Sequence, residues 1–598
     1  MHERSSTSAR SPVFAAILLA SAAACATATR SAPAPLSLSS LSLDEKIGQL
    51  FVYASTGRFM NEESPEYREL LHQVRDNHVG GVMWFLSSGV YETAFLNRKL
   101  QAAARTPLLV AADLEAGIGM RFQDTTYWPW PMAIAATGDP ALAESEGRIV
   151  AEEARALGLN QIYAPVADVN VNPRNPAINV RSFGEDPREV GRFVAAFVRG
   201  VQGGGVLATV KHFPGHGGTP SDSHRSLPVL ERTSAELDAV ELVPFRAAIE
   251  AGVGSVMTAH LSVPSLDPSP APPRPGGALE NPYTRDVVEV TANATVPASL
   301  SELITGGLLR RRLGFRGLVV TDAVDMGGIV DHFDAGEAAV RAILAGADQV
   351  LKSPDVGAAV AGVRRAVESG RIPLAAVDAA VARVLAAKAR FPAADADPER
   401  IFRVVDRPDH RAVAEEIARR SLTLVRRDPA AWPIHRESRV AHVVVTDQPR
   451  LSEDLTGELR RRLSHPPAAF LLDPLSTAAD VETTLAGAAQ SETVLISIFA
   501  RFQSGRGSIG IPDGARAAVE RILAGPVPTV VVVFGSPYLL SDFPGVRSAL
   551  VAWGSQAEAQ SAAARAVFGE AAVGGRLPVT IPGIADRGAG IPVEAAPR

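Results

Sequence analysis

Between Lys211 and Pro228 the chain reads KHFPGHGGTPSDSHRSLP, a stretch dense in groups that move protons. His212, His216 and His224 share it with Lys211 and Asp222. Pro214, Gly215, Gly217, Gly218 and Pro220 interrupt it, which rules out a long helix or an unbroken strand and predicts an irregular loop. Long irregular loops in compact domains tend to be functional or disordered. Asp222 and His224 are two residues apart. In a turning backbone the carboxylate reaches one imidazole nitrogen, fixes the tautomer, raises the ring's basicity and aims the other nitrogen outward. Such a dyad gives and takes a proton near neutral pH. On residue types alone the pair suits an exposed surface loop equally well. His212 and His216 have the i, i+4 spacing of a zinc helix. Pro214 and Gly215 between them forbid a shared helical face, and no HExxH pattern lies nearby. Neither a metal nor an organic cofactor is expected.

Groups of this kind must be held by the elements that flank them. From about Leu43 to Phe391, short apolar runs alternate with amphipathic helical patterns. The strand candidates are QLFVYA, GGVMWF, PLLVAAD, QIYAPVAD, VLATVKHF, GSVMTAH, GLVVTDA and ADQVLKS. Eight runs separated by helices, without a Gly-rich dinucleotide turn after the first, predict a (β/α)8 TIM-type barrel over residues 41–391 rather than an open doubly wound sheet. Barrel enzymes carry their reactive groups where strands end at the C-terminal edge. Here those ends carry Asp113, Asp168, Lys211 with His212, His260, and Asp322. An apolar strand that closes on a lone carboxylate leaves that charge near water or a ligand, because burying it unpaired is costly. Each residue alone could be a structural cap; their convergence on one face predicts a site.

The alternation breaks from Val263 to Pro297, where PSLDPSPAPPRPGG is too rich in proline for a helix and reads as an elaborated loop after the sixth strand. Residues 392–410 read as a linker. The pattern restarts over 411–598 with RVAHVVVTD, TVLISIFAR, VPTVVVVFG and SALVAWG, which predicts a second, smaller α/β sandwich domain with a largely parallel sheet. Two domains suit a chain of 598 residues, too long for one ordinary core. RFQSGRGSIGIPDG, residues 501–514, is Gly-rich and polar, either a loop over the active site or a connector. A net charge of -6 with no long Lys/Arg run argues against a nucleic-acid partner. At the N-terminus, Arg4 and Arg10 precede PVFAAILLASAAA, the charged and apolar regions of a secretory signal over residues 1–25, too short to span a bilayer. SAAAC resembles a lipobox, in which Cys25 would become the lipidated first residue of a membrane-attached protein; ordinary cleavage nearby would discard it. Cys25 is the single cysteine, so no intrachain disulfide forms. Residues 26–40, rich in Ala, Ser, Thr and Pro, read as a flexible tether. The expected location is exported, periplasmic or anchored as a lipoprotein.

KHFPGHGGTPSDSH resembles the signature of glycoside hydrolase family 3, in particular its exo-acting β-N-acetylglucosaminidases (β-N-acetylhexosaminidases). DLEAGIGMRF, NVRSFGEDP, VMTAHLSVPSLDP, PASLSELITGGLLRRRLGFRGLVVTDAVDM and GGRLPVTIP resemble the family too, in the expected order from Leu43 to Pro582. The resemblance implies a retaining two-step glycosidase with no cofactor. It implies Asp322 as nucleophile, His224 as general acid/base and Asp222 as its orienting partner. Asp113, Arg121, Arg181, Lys211 and His212 match residues that grip the hydroxyls of the non-reducing sugar, while Asp325 falls beyond the strand end and reads as structural. The expected substrates are peptidoglycan fragments (muropeptides) or chitin oligosaccharides. The alternatives are a β-glucosidase or β-xylosidase, a phosphorylase, or a non-catalytic carbohydrate-binding lipoprotein. Gly218 and Pro220 stand where acetylglucosaminidases of this type commonly carry aspartates, Ala116 where glycine is usual, and Leu114 where glutamine is usual.

Overall fold

The candidate strands are apolar along their whole length, without alternation, the pattern of a parallel sheet covered on both faces. In the computed structural model, which describes residues 37–86, 88–272, 294–500 and 509–596, eight of them close into a parallel barrel in sequence order. They are β1 (Phe51–Ser55), β2 (Gly81–Trp84), β3 (Leu109–Ala112), β4 (Gln161–Ile162), β5 (Leu207–Phe213), β6 (Ser255–Thr258), β7 (Leu318–Ala323) and β8 (Gln349–Leu351). Phe51 of β1 pairs with Val350 of β8 and seals the ring. β4 is far shorter than its apolar run, because Pro165 has no N–H to donate to a ladder. The chain beyond it stays beside β5 through irregular bonds such as Ala167 N–H to the Lys211 carbonyl.

Local chemistry fixes the helices around the barrel. Asp186 caps helix Pro187–Gly203 by accepting from the N–H groups of Arg188 and Glu189, and Pro187 fits the first helical position. Inside the barrel, Val52, Met83, Ala111, Tyr163, Met257, Val320 and Leu351 form one apolar layer that plugs the bore and floors the C-terminal mouth.

The second domain is a six-stranded sheet built from β9 (Thr423–Arg426), β10 (Val440–Thr446), β11 (Ala468–Leu472), β12 (Thr493–Ala500), β13 (Thr529–Gly535) and β14 (Ser548–Val551). Its order is β11-β10-β12-β13-β14-β9, parallel except for the antiparallel edge strand β9. One face, with Val443, Val445, Ile496, Val531 and Val533, joins the same buried apolar cluster as the barrel. The other face packs Leu495, Phe499, Val532, Phe534 and Leu550 into a cluster of its own.

Residues 392–410 are not a bare connector. They carry helix Pro398–Val404, capped by Asp397, and enter helix Pro408–Ser421. The Asp406 N–H and His410 Nδ1 both bond Glu153 Oε1 on a barrel helix, at 2.9 and 2.7 Å. The expected signal segment with Cys25 and the expected tether as far as residue 36 lie outside the described residues, as do 273–293 of the loop after β6 and 501–508. Leu38–Ser40 form a 3-10 turn.

Candidate active site

The first wall of the barrel mouth is built from charge. β3 ends at Ala112, which places Asp113 at the rim and Glu115 two residues on, on the same side of extended chain. The chain then doubles back through Gly117, whose φ of 72° belongs to the left-handed region, where a Cβ would lie 2.1 Å from Trp128 Cδ1. This return brings Arg121 Nη2 within 2.8 Å of Asp113 Oδ2. From the end of β5, Lys211 Nζ reaches Asp113 Oδ1 at 2.8 Å and Glu115 Oε1 at 2.6 Å. Arg181, on the turn Asn179–Arg181, donates twice to Glu115, from Nε at 2.7 Å and Nη2 at 2.8 Å. The result is an unbroken series, Arg121–Asp113–Lys211–Glu115–Arg181.

Burial alone would push both carboxyls toward the protonated form, but the neighbouring cations win. Lys211 and Arg121 hold Asp113 well below the usual carboxylate range. Arg181 and Lys211 pull Glu115 down to about 2. Burial likewise works against the charge of Lys211, and Asp113 with Glu115 raises its pKa above the ordinary lysine value. Asp113, Glu115 and Lys211 therefore stay ionised near neutral pH.

The second wall is built from imidazoles. Asp168, beyond β4, is fully buried; its Oδ2 takes His212 Nδ1 at 2.7 Å, and its Oδ1 takes the His216 backbone N–H at 2.6 Å. His212 Nδ1 is thereby the donor, which turns Nε2 toward the cavity. His216 sits deeper, between Thr219 Oγ1 at Nδ1 (2.7 Å) and Ser223 Oγ at Nε2 (3.0 Å). Burial pushes it down to about 4, so it stays neutral and acts as a strut inside the loop. Asp222 Oδ1 receives both the His224 backbone N–H, at 2.9 Å, and Nδ1, at 2.7 Å. The Asp222 side chain is 0% exposed and that of His224 18%, so the acid is hidden and its ring reaches the cavity.

Asp322 stands between the walls at the end of β7, its Oδ1 accepting the Ala323 N–H at 2.8 Å. Burial favours its protonation, yet the three nearby imidazoles of His212, His260 and His224 bring its pKa below the usual range. It is a carboxylate ready to act as a nucleophile. His260 is not part of the cavity: Nε2 donates to the Ala323 carbonyl at 2.9 Å and Nδ1 accepts from Ser299 Oγ at 2.8 Å, which braces the turn after Asp322. The loop bearing His224 is tied to that turn by main chain. Gly327 N–H donates to the His224 carbonyl at 3.3 Å, and Gly328 N–H to the Ser223 carbonyl at 3.2 Å.

Asp113, Arg121, Arg181, Lys211, His212, His224 and Asp322 therefore line one cavity, and Asp222 backs His224. The sequence reading passed over two charged lining residues. Glu115 joins the charged wall; a second acid just past a strand end was the available signal. Lys352, after β8, bonds Asp325 at 2.9 Å and lies 3.8 Å over the Phe85 ring centroid. A wider groove on the second domain, between helices Pro408–Ser421 and Ala557–Val567, is walled by residues such as Glu415, Arg419, Glu558 and Arg565 and contains no histidine.

The pattern for the glycosyl hydrolase family 3 N-terminal domain matches residues 42–387, and that for the C-terminal domain of the same family matches residues 328–593. The chain belongs to glycosyl hydrolase family 3. This family 3 protein is 32% identical over 553 residues to a beta-N-acetylglucosaminidase/beta-glucosidase of Cellulomonas fimi, covering 90% of this chain and 93% of that one. It is 37% identical over 299 residues to a beta-hexosaminidase of Stenotrophomonas maltophilia, covering 47% of this chain and 80% of the relative. Among solved structures, a family 3 beta-N-acetylglucosaminidase from a Paenibacillus strain superposes with a TM-score of 0.74 at 30% identity, over 90% of this chain and 98% of that one. A structure named beta-glucoside phosphorylase BglX superposes with a TM-score of 0.78 at 26% identity, over 91% and 95%. The family 3 chain is a glycoside hydrolase.

Proposed function

We propose that the chain is a retaining, exo-acting β-N-acetylhexosaminidase that removes terminal non-reducing N-acetylglucosamine from oligosaccharides. Asp322 attacks the anomeric carbon while His224 gives its Nε2 proton to the departing oxygen. The glycosidic C–O bond breaks and a glycosyl ester forms on Asp322. His224, now neutral, takes a proton from water; the water oxygen attacks the same carbon and frees the Asp322 carboxylate. Asp222 stabilises the imidazolium at Nδ1 and leaves Nε2 for the exchange. The charged wall grips the sugar's hydroxyls and closes the pocket behind it, which supports exo action. One observation carries the assignment: a buried carboxylate 2.7 Å behind a histidine that shares its cavity with the strand-end carboxylate of Asp322. The names of the relatives support the N-acetylated sugar.

Paired assays with 4-nitrophenyl N-acetyl-β-glucosaminide and 4-nitrophenyl β-glucoside test the sugar, and preference for the glucoside would sink it. An activated fluorosugar should label Asp322; a label on another carboxylate would overturn its role. Phosphorolysis is the second reading, favoured by the structural neighbour named a phosphorylase and by an imidazole that repels phosphate less than a carboxylate would. Sugar 1-phosphate formed on adding phosphate would establish it. The proposed setting is outside the cytoplasm, on muropeptides or chitin fragments, with lipidated Cys25 as membrane anchor. Product analysis on both substrates, and release of a Cys25→Ala variant from the membrane fraction, test these points.

A further inference from the structure

Among the described residues, no side chain of the second domain lines the cavity, yet that domain holds one of its walls from behind. The contact falls on the segment between β4 and helix Pro187–Gly203. Tyr538, buried in the turn Pro537–Asp542 after β13, accepts a hydrogen bond on its hydroxyl from Asn170 Nδ2 at 2.7 Å. Asn170 Oδ1 accepts from the Asn179 N–H at 3.1 Å. Asn179 has a φ of 48°, in the left-handed region that asparagine tolerates better than most L residues, and its N–H is held there by Asn170. It opens the turn whose third residue is Arg181.

The same segment supports the histidine loop. A Cβ on Gly217 would lie 1.9 Å from the Val169 carbonyl oxygen, so the loop rests directly on this backbone. Asn175 Nδ2 donates to the His216 carbonyl at 2.8 Å. On the opposite side, Thr580 bonds Glu185 through its N–H at 2.9 Å and its hydroxyl at 2.7 Å. Residues 168–186 are therefore clamped between the second domain and the two walls of the cavity.

We infer that Tyr538 is a positioning residue: through Asn170 and the Asn179 turn, the second domain sets where Arg181 stands in the sugar pocket. The pocket's identity as a sugar site rests on the function proposed above. The test is Tyr538→Phe in the full chain, assayed on whichever 4-nitrophenyl glycoside the parent protein turns over best. The melting temperature should stay within about 3 °C of the parent, while KM rises about fivefold and kcat stays within about twofold, as removal of binding rather than of folded enzyme requires. Asn170→Ala approaches the same bond from the barrel side, so the test does not hang on one variant's folding. It should raise KM as much, and the double variant no further, because the two residues act as a unit. Arg587→Ala, which removes an exposed ion pair with Asp186 at the same junction, should leave KM unchanged. Unchanged KM in folded Tyr538→Phe and Asn170→Ala, or additive penalties in the double variant, would overturn the inference. A parent that prefers the glucoside would sink the sugar assignment and leave this comparison intact.

Discussion

The two walls of the cavity hold their charges by opposite means. In the Arg121–Asp113–Lys211–Glu115–Arg181 wall, each carboxylate lies between two cations, and burial is tolerated because the partners are complete. In the other wall Asp168 and Asp222 are the hidden partners, the rings of His212 and His224 face the cavity, and His216 braces the loop behind them. In the proposed reaction, gripping a sugar needs charge that persists, whereas passing a proton needs a group that changes it. One barrel mouth supplies both by giving lysine and arginine to one side and histidine to the other.

The sharpest break in this comparison comes at the residue between the walls. Asp322→Ala should lower kcat by about 10⁴-fold or more on every aryl glycoside, in steady-state assays, since no other group replaces the covalent step. On the imidazole side, His224→Ala should cost about 10²–10³-fold with a poor leaving group, and much less with 4-nitrophenol, which departs without protonation. Equal losses with both leaving groups would place the proton donor elsewhere. On the charged side, Glu115→Gln should destabilise the fold by about 3 kcal/mol in chemical denaturation, because Arg181 loses its buried partner. It should also raise KM more than it lowers kcat.

The smallest effect separates the walls by pH. His216 ordinarily titrates at 6.5 and is held at about 4, so the native state favours the neutral ring. The stability tied to it is complete above pH 6.5 and is lost as the pH falls toward 4. Glu115 works lower: its contribution is complete above 4.5 and is lost as the pH falls toward 2. Calorimetry should show a melting-temperature decline beginning on the histidine side, and His216→Gln should flatten it between pH 6.5 and 4.

Most of the barrel was legible because its strands are apolar runs that end on polar residues. β4 was shorter than its run, since Pro165 interrupts the ladder that Gln161 and Ile162 begin. Asp113, Lys211, His212 and Asp322 stood out at strand ends, and the Asp222–His224 spacing allowed the hydrogen bond that forms, though it suited a surface loop equally well. Glu115 was harder to find, because its meaning depends on Arg181 and Lys211, which are distant in the chain. Lys352 closes the run ADQVLKS with no local cue to Phe85 and Asp325, which meet it only in space. The Asn170–Tyr538 bond spans 368 positions, and no local pattern encodes such a partnership.

The hooks from Gly327 and Gly328 to the carbonyls of His224 and Ser223 are made by peptide groups alone. Wiring of that kind does not depend on side-chain identity, so it ties the His224 loop to the turn after Asp322 through backbone alone. Gly218 and Pro220 lie outside both hooks, so neither side chain takes part in that link.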